Sequence, residues 1–205
     1  GCNTANQKDD IDWGRRKKQF QRLLDQYKNH DNNNYDCIIP VSGGKDSYFQ
    51  VHMIKNVFNM NPLLVTYNAN NWTKTGYENL HNMRDAFGCD HVFFTPSIDL
   101  LKRMNRIGFQ VMGDMNWHGH SGIYTYPFIA AVEKKVPLVI YGEHGFMDLG
   151  GMHSYNDHVE FTQRYRLEHC LRGYDWNDFL GRDGRDEIKE NELLGFKFPS
   201  DKNIK

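Results

Sequence analysis

The feature that most constrains this chain is an apolar run, Asp36-Cys-Ile-Ile-Pro-Val41, that passes directly into Ser42-Gly43-Gly44-Lys45-Asp46-Ser47. Val51, Ile54, Val57 and Phe58 then follow at helical spacing, so the order is buried strand, glycine turn, helix. Adjacent glycines let the backbone take positive φ and gather successive N–H groups, and the helix that starts there adds its positive end. That combination is a cradle for phosphate. It is not the loop with Gly-x-x-x-x-Gly-Lys-Ser/Thr, because too few residues separate the turn from the lysine. In this reading Val41 and the Gly43–Gly44 backbone shape the cradle, Ser42 and Ser47 add hydroxyl donors, and Lys45 adds a positive charge. Asp46, a carboxylate among donors for anions, makes best sense holding a magnesium ion that bridges phosphate oxygens. The plainer alternative is a glycine turn capped by Ser47 that holds no ligand.

Downstream the chain alternates strand and helix. Strands are expected at 62–67, 91–94 and 136–141, and helices at 47–58, 97–109 and 123–135. A further helix is expected from Thr75, with Glu78 closing a capping box, to a stop at Gly88. Ahead of the glycine turn, Trp13, Phe20, Leu23, Leu24 and Tyr27 share one helical face, with Asp12 as the cap and Arg15 to Lys18 on a solvated face. Apolar, non-alternating strands separated by helices predict an α/β fold whose parallel sheet is covered on both faces. The segments expected are a helical one over 1–35, a nucleotide-type core over 36–156, and a helical one over 157–205.

The 205 residues suffice for one sizeable core, and 25 Lys+Arg against 26 Asp+Glu leave a formal charge of −1. That balance lacks the basic signature of a nucleic-acid binder, so no nucleic-acid partner is expected. No apolar run approaches the length of a membrane span and residues 1–12 are polar, which predicts a cytoplasmic protein with no membrane partner. Cys2, Cys37, Cys89 and Cys170 form no C-x-x-C pair and read as reduced thiols, Cys37 and Cys89 as small buried residues.

Other candidates stand near the expected carboxyl edge of the sheet. Gly142 and Glu143 follow the fourth expected strand, which makes Glu143 a second magnesium ligand or a group that holds an attacking amine; an exposed loop glutamate is the bland alternative. Asp148 and the Gly150–Gly151 pair belong to a glycine-rich stretch suited to a lid. His118-Gly-His120-Ser-Gly122 precedes the helix expected at 123. The His-x-His pair reads as surface or substrate-contacting rather than as a metal site, because no third ligand stands at a fixed spacing. Arg164 and Arg166 read as ordinary surface residues.

Ser42 to Ser47 resembles the PP-loop of the ATP pyrophosphatase superfamily. Members cut ATP between its α and β phosphates and transfer AMP to an oxygen of the substrate. The resemblance implies a Rossmann-type sheet of strand order 3-2-1-4 with ATP over the carboxyl ends of the strands. It also implies that Thr66, Tyr67 and Asn68 meet adenine and ribose. A narrower resemblance rests on Ile11-Asp12-Trp13, Tyr35 to Ser47, Asn61 to Thr66, His120-Ser121-Gly122-Ile123 and Pro137 to Glu143. These are similar to the N-acetyl sugar amidotransferases, which convert an acetamido group of a bacterial surface sugar into an acetamidino group. It implies ATP and Mg2+, catalytic roles for Lys45, Asp46 and Glu143, and ammonia from a glutaminase subunit by way of a cyclase-like barrel subunit. The chain departs from the family where Ala5 replaces a second cysteine after Cys2, and family members continue beyond the Pro199-Ser200-Asp201 region, so a fragment or a natural short form lacking a C-terminal segment is expected. The alternatives are a PP-loop tRNA-modifying enzyme and a non-catalytic ATP-binding module.

Overall fold

The computed structural model describes residues 6, 8–31, 33–142, 161–181 and 187–200. Strand β1 (Cys37–Pro40), β2 (Pro62–Tyr67) and β3 (His91–Phe94) form a parallel sheet in the order β1-β2-β3. The register sets Ile38 beside Leu63 and Val65 beside Val92.

A fourth position exists beside β1 but is only one bridge long, between Ile38 and Val139. Ile38 N–H donates to the Leu138 carbonyl at 2.8 Å and Ile140 N–H to the Ile38 carbonyl at 2.9 Å. The strand expected over 136–141 is therefore cut down, and prolines explain it. Val136 N–H is engaged in closing the preceding helix on the Ala131 carbonyl, and Pro137 has no N–H. At the other end the parallel ladder would next need the N–H of residue 40, which is proline. The Ile140 carbonyl that Pro40 leaves without a donor is taken by the side chain of Gln50, Nε2 to O at 2.7 Å. The order 3-2-1 with the 139 segment outermost is nonetheless the order expected.

Helices cover both faces. Cys37, Ile39, Val41 and Leu64 point to one side, where they bury Leu24 of α1 (Trp13–Tyr27), Val51 of α2 (Lys45–His52) and Leu80 and Met83 of α3 (Lys74–Phe87). Ile38, Leu63 and Val65 point to the other, against Ala130 and Ala131 of α5 (Trp117–Lys134). A third cluster joins Tyr67 to Leu101, Met104 and Ile107 of α4 (Ile98–Met112) and to Leu171, Phe179 and Phe196 of the C-terminal segment.

Several elements depart from expectation. α1 begins on its Asp12 cap, whose side chain accepts Arg15 N–H at 2.8 Å, but Trp13 and Leu23 stay outside the core at 55% and 42% exposure. α2 runs on into a wider helical turn over Met53–Val57. α3 is capped by Thr73, not Thr75, and Glu78 lies 3.8 Å from Lys74. The C-terminal helices are short, over 163–170, Trp176–Phe179 and Glu190–Phe196. α5 starts at Trp117, well before the expected Ile123: Gly119, Gly122 and Pro127 weaken the helical signal, and burial of Trp117, His118 and Ser121 overrides it.

Arg166 is not a surface residue. It is fully buried, 3.0 Å from the Asp175 carboxylate, with its guanidinium 4.4 Å from the centre of the Phe198 ring. Arg164 is exposed and paired with Glu168 at 2.9 Å, as a surface reading requires. Cys37 and Cys89 are buried free thiols; burial raises Cys37 to about 12, with Asp36 and Cys89 adding to the effect. Among the described residues no helix is long and apolar enough to cross a membrane.

Candidate functional site

Val41 makes the last contact of β1 with β2, its N–H reaching the Val65 carbonyl at 3.0 Å, and the chain then turns over the sheet edge. Gly43 takes φ +78°, and a Cβ there would lie 2.9 Å from Leu80 Cγ and 3.2 Å from Leu80 N. Both the dihedral and the space demand glycine. Gly44 is different: it is extended, at φ −77° and ψ 167°, and serves as the N-cap of α2. The left-handed bend is thus made by one glycine. Because Gly44 has no side chain to cap the helix, the first-turn N–H groups keep no side-chain acceptor. Ser47 Oγ folds back to accept Ser42 N–H at 3.1 Å and lies 3.3 Å from Ser42 Oγ, which fixes the loop on the helix it precedes.

Lys45 and Asp46 are open to solvent and pair with each other at 2.9 Å, their side chains 91% and 81% exposed. Solvent screens such a pair, so it exchanges readily for a ligand.

The loop forms one end of a cleft of about 440 Å³. Ser42, Asp46 and Ser47 line that end, and the carboxyl ends of β1 and β2 supply Pro40, Val41, Val65 and Tyr67 as floor. Trp72 and Asn71 border it from the loop after β2, and Asn116, the N-cap residue of α5, with Gly119, His120, Ile123, Tyr124 and Pro127 of that helix, forms the facing wall. Tyr141, Gly142 and Gln50 close it where pairing beside β1 stops. Gly142 is there for space, since a Cβ would lie 2.7 Å from Gln50 Oε1.

Two prolines therefore shape the cleft. Pro40 ends the ladder, and Pro127 removes the N–H that would have bonded the Ile123 carbonyl inside α5. Tyr141 OH donates to that carbonyl at 3.1 Å, tying the 139 segment to α5 across the cleft. On the same helix Gly122 meets the Tyr67 ring of the cleft floor, where any side chain would collide.

Of the residues expected at a nucleotide, Tyr67 and Gly142 line the cleft with the loop, whereas Thr66 and Asn68 do not. Thr66 Oγ1 donates to the Val41 carbonyl at 2.7 Å and lies 2.7 Å from His91 Nε2, and so braces the loop's root from below. Asn68 reaches Thr95 and Asn70. Glu143, Asp148, Gly150, Gly151 and Cys2 fall outside the described residues. Tyr67 OH lies 2.9 Å from His118 Nδ1 in the buried wall. Burial, with His120 nearby, lowers His118 to about 4, and burial with His81 and Arg84 lowers His91 to about 4. Both are neutral imidazoles near neutral pH. His120, two residues on, faces the cleft instead; both lie within α5 rather than ahead of it. Gln50, Asn116, Tyr124 and Tyr141 had no sequence motif to single them out, and Pro127 inside a helical pattern was the one available cue.

The residues present fit a nucleoside triphosphate. A tight glycine bend, uncapped helix N–H groups, two hydroxyls and Lys45 suit its phosphates, and the cleft beyond has room for more. Among the described residues no group of three or more His, Cys, Asp or Glu clusters to hold a metal. A single Asp46 carboxylate suits magnesium only when phosphate oxygens and waters complete its octahedron.

No family model matches the chain. Over 74 residues it is 32% identical to an uncharacterized protein of Methanocaldococcus jannaschii, a stretch that covers 36% of this chain and 26% of that protein. Among solved structures it is similar to the U34-tRNA thiolase NcsA from Methanococcus maripaludis with its 4Fe-4S cluster, at 16% identity and a TM-score of 0.43, over 86% of this chain and 61% of that one. The chain thus spans about a quarter of the curated relative and under two thirds of the thiolase chain. Fold and site together define a parallel α/β protein with a cleft at the carboxyl edge of its sheet, beside a glycine turn.

Proposed function

We propose that the cleft binds ATP and that the protein cuts it between the α and β phosphates, as in PP-loop enzymes, transferring AMP to an oxygen of an acceptor. The observation that carries this is the Gly43 bend with the uncapped start of α2 at the cleft's end, Asp46 facing the same space. The α2 N–H groups, Ser42 and Ser47 hold the departing pyrophosphate, and Lys45 neutralises it once released from Asp46. Asp46 would hold a magnesium ion, which supplies charge stabilisation as the α–β bond breaks. The aromatic and α5 walls limit water at the phosphorus.

Following the resemblance, the acceptor is the amide oxygen of an N-acetylated sugar. That oxygen bonds to the α phosphorus as pyrophosphate leaves, giving an O-adenylyl imidate; ammonia adds at the imidate carbon, and AMP departs carrying the former acetyl oxygen. Glu143 is assigned to magnesium or to the ammonia. A glutaminase and a barrel subunit would supply that ammonia, and the reaction belongs in the cytoplasm. The experiment is transfer of label: with 18O in the acetyl group, the AMP formed should carry one 18O. AMP without label, or modified tRNA in place of an amidine when both acceptors are offered, would overturn the sugar assignment in favour of a tRNA-modifying role.

A further inference from the structure

On the α5 wall, Asn116, His120 and Tyr124 recur at four-residue intervals and so share one helical face, the face that lines the cleft opposite the glycine turn. Neither the Asn116 amide nor the His120 imidazole makes a hydrogen bond among the described residues, whereas Gln50 and Tyr67, polar side chains that also line the cleft, are engaged. The stripe is held in place. Gly119 lets the Asn116 amide lie against the helix, since a Cβ would sit 2.7 Å from Asn116 Oδ1. The Tyr124 ring packs against Tyr141 at 5.9 Å and Phe161 at 5.4 Å, two rings that also meet each other at 5.5 Å.

Charge narrows what this wall can take. Residues 107–133, which include the whole lining stretch of α5, contain no Lys or Arg, and neither do 56–73 or 136–142, which carry the cleft residues of β2, the loop after it and the 139 segment. At the glycine turn, by contrast, Lys45 stands beside Asp46, which lines the opposite end of the cleft. A polyanion would find no Lys or Arg among the described residues that line this wall, whereas a ring bearing hydroxyl or amide groups would find an amide, an imidazole and an aromatic face.

We infer that the Asn116–His120–Tyr124 stripe is the acceptor subsite, and that the part of the acceptor lying in the cleft is an uncharged, hydroxyl-bearing ring stacked on Tyr124 and hydrogen-bonded by Asn116 and His120. This rests on the reading above that the opposite end holds ATP. The test uses the whole chain, with N-acetylglucosamine as the uncharged probe in saturation-transfer NMR and ATP affinity measured separately by equilibrium dialysis. The expected result is saturation of the probe's ring protons in the wild type, a loss of probe affinity of about tenfold or more in Asn116→Ala/His120→Ala and in Tyr124→Ala, and recovery in Tyr124→Phe. ATP affinity should stay within about twofold in every variant. No probe saturation in the wild type, equal saturation in the variants, or a parallel loss of ATP affinity would overturn the subsite; the last would assign the wall to the nucleotide. Failure of the wild type to bind ATP while it binds the probe would instead remove the ATP reading and leave the stripe a sugar-type site.

Discussion

At the scale of single residues, a few atoms of the glycine turn have no alternative place to go. Gly43 combines φ +78° with a neighbour that a Cβ would touch at 2.9 Å, whereas Gly88, at φ +56°, closes α3 with nothing within reach of a Cβ. Gly43→Ala should therefore cost about 1–3 kcal/mol and lower nucleotide affinity sharply, while Gly88→Ala should cost about 1 kcal/mol and leave affinity alone. Urea unfolding with ATP titration of both variants measures this, and equal effects on affinity would contradict the loop's role. His118 gives a pH signature. Its folded pKa lies near 4 against an ordinary 6.5, so the unfolded chain binds the proton first as pH falls. Stability from this group is complete above pH 6.5 and is lost on the way down to 4, with a slope of up to about 1.4 kcal/mol per pH unit. His118→Gln should flatten the pH dependence of the urea midpoint across that window; an unchanged slope would mean the imidazole is charged in the fold.

At the scale of elements, two side-chain ties stand in for regular structure. Tyr141 replaces the hydrogen bond that Pro127 removes, so Tyr141→Phe should destabilise the protein by about 1 kcal/mol, read as a lower urea midpoint. The buried Arg166–Asp175 pair ties the C-terminal segment to α5, where Arg166 Nη1 also reaches Thr125 Oγ1 at 3.4 Å. Asp175→Ala leaves a buried charge without its partner and should cost about 3–5 kcal/mol, while Arg166→Met with Asp175→Ala should recover much of that. Chemical denaturation of the two variants decides it, and an equal loss in both would show that packing, not charge, sets the cost. The elements that could be read in the sequence were those with local signals: β2 with its apolar run, α3 stopped by Gly88, α4 capped by Ser97. Those that could not were set by distant partners. The 139 segment is shortened by the absence of an N–H on Pro40, nearly a hundred residues earlier, and α5 gains its first turns from burial. Arg166 looked like solvent-facing charge because its partner Asp175 is joined to it only by the turn between two short helices.

At the scale of the whole molecule, the sheet edge, the glycine turn and α5 meet in one cleft, and its charge is uneven: Lys45 and the start of α2 at one end, a wall without Lys or Arg facing it. The glycine turn was legible because its chemistry is written in consecutive residues. The facing wall was not, because its residues are ordinary ones made into a stripe by a helix whose start was hidden. The central claim is that this cleft cuts ATP between the α and β phosphates with the help of Asp46. The most direct measurement is chromatography of the nucleotide products formed with Mg2+ and an N-acetylated sugar, wild type beside Asp46→Asn. The wild type should yield AMP and pyrophosphate, and the variant should lose most of its turnover. ADP and orthophosphate as the main products, or wild-type turnover in Asp46→Asn, would contradict that claim.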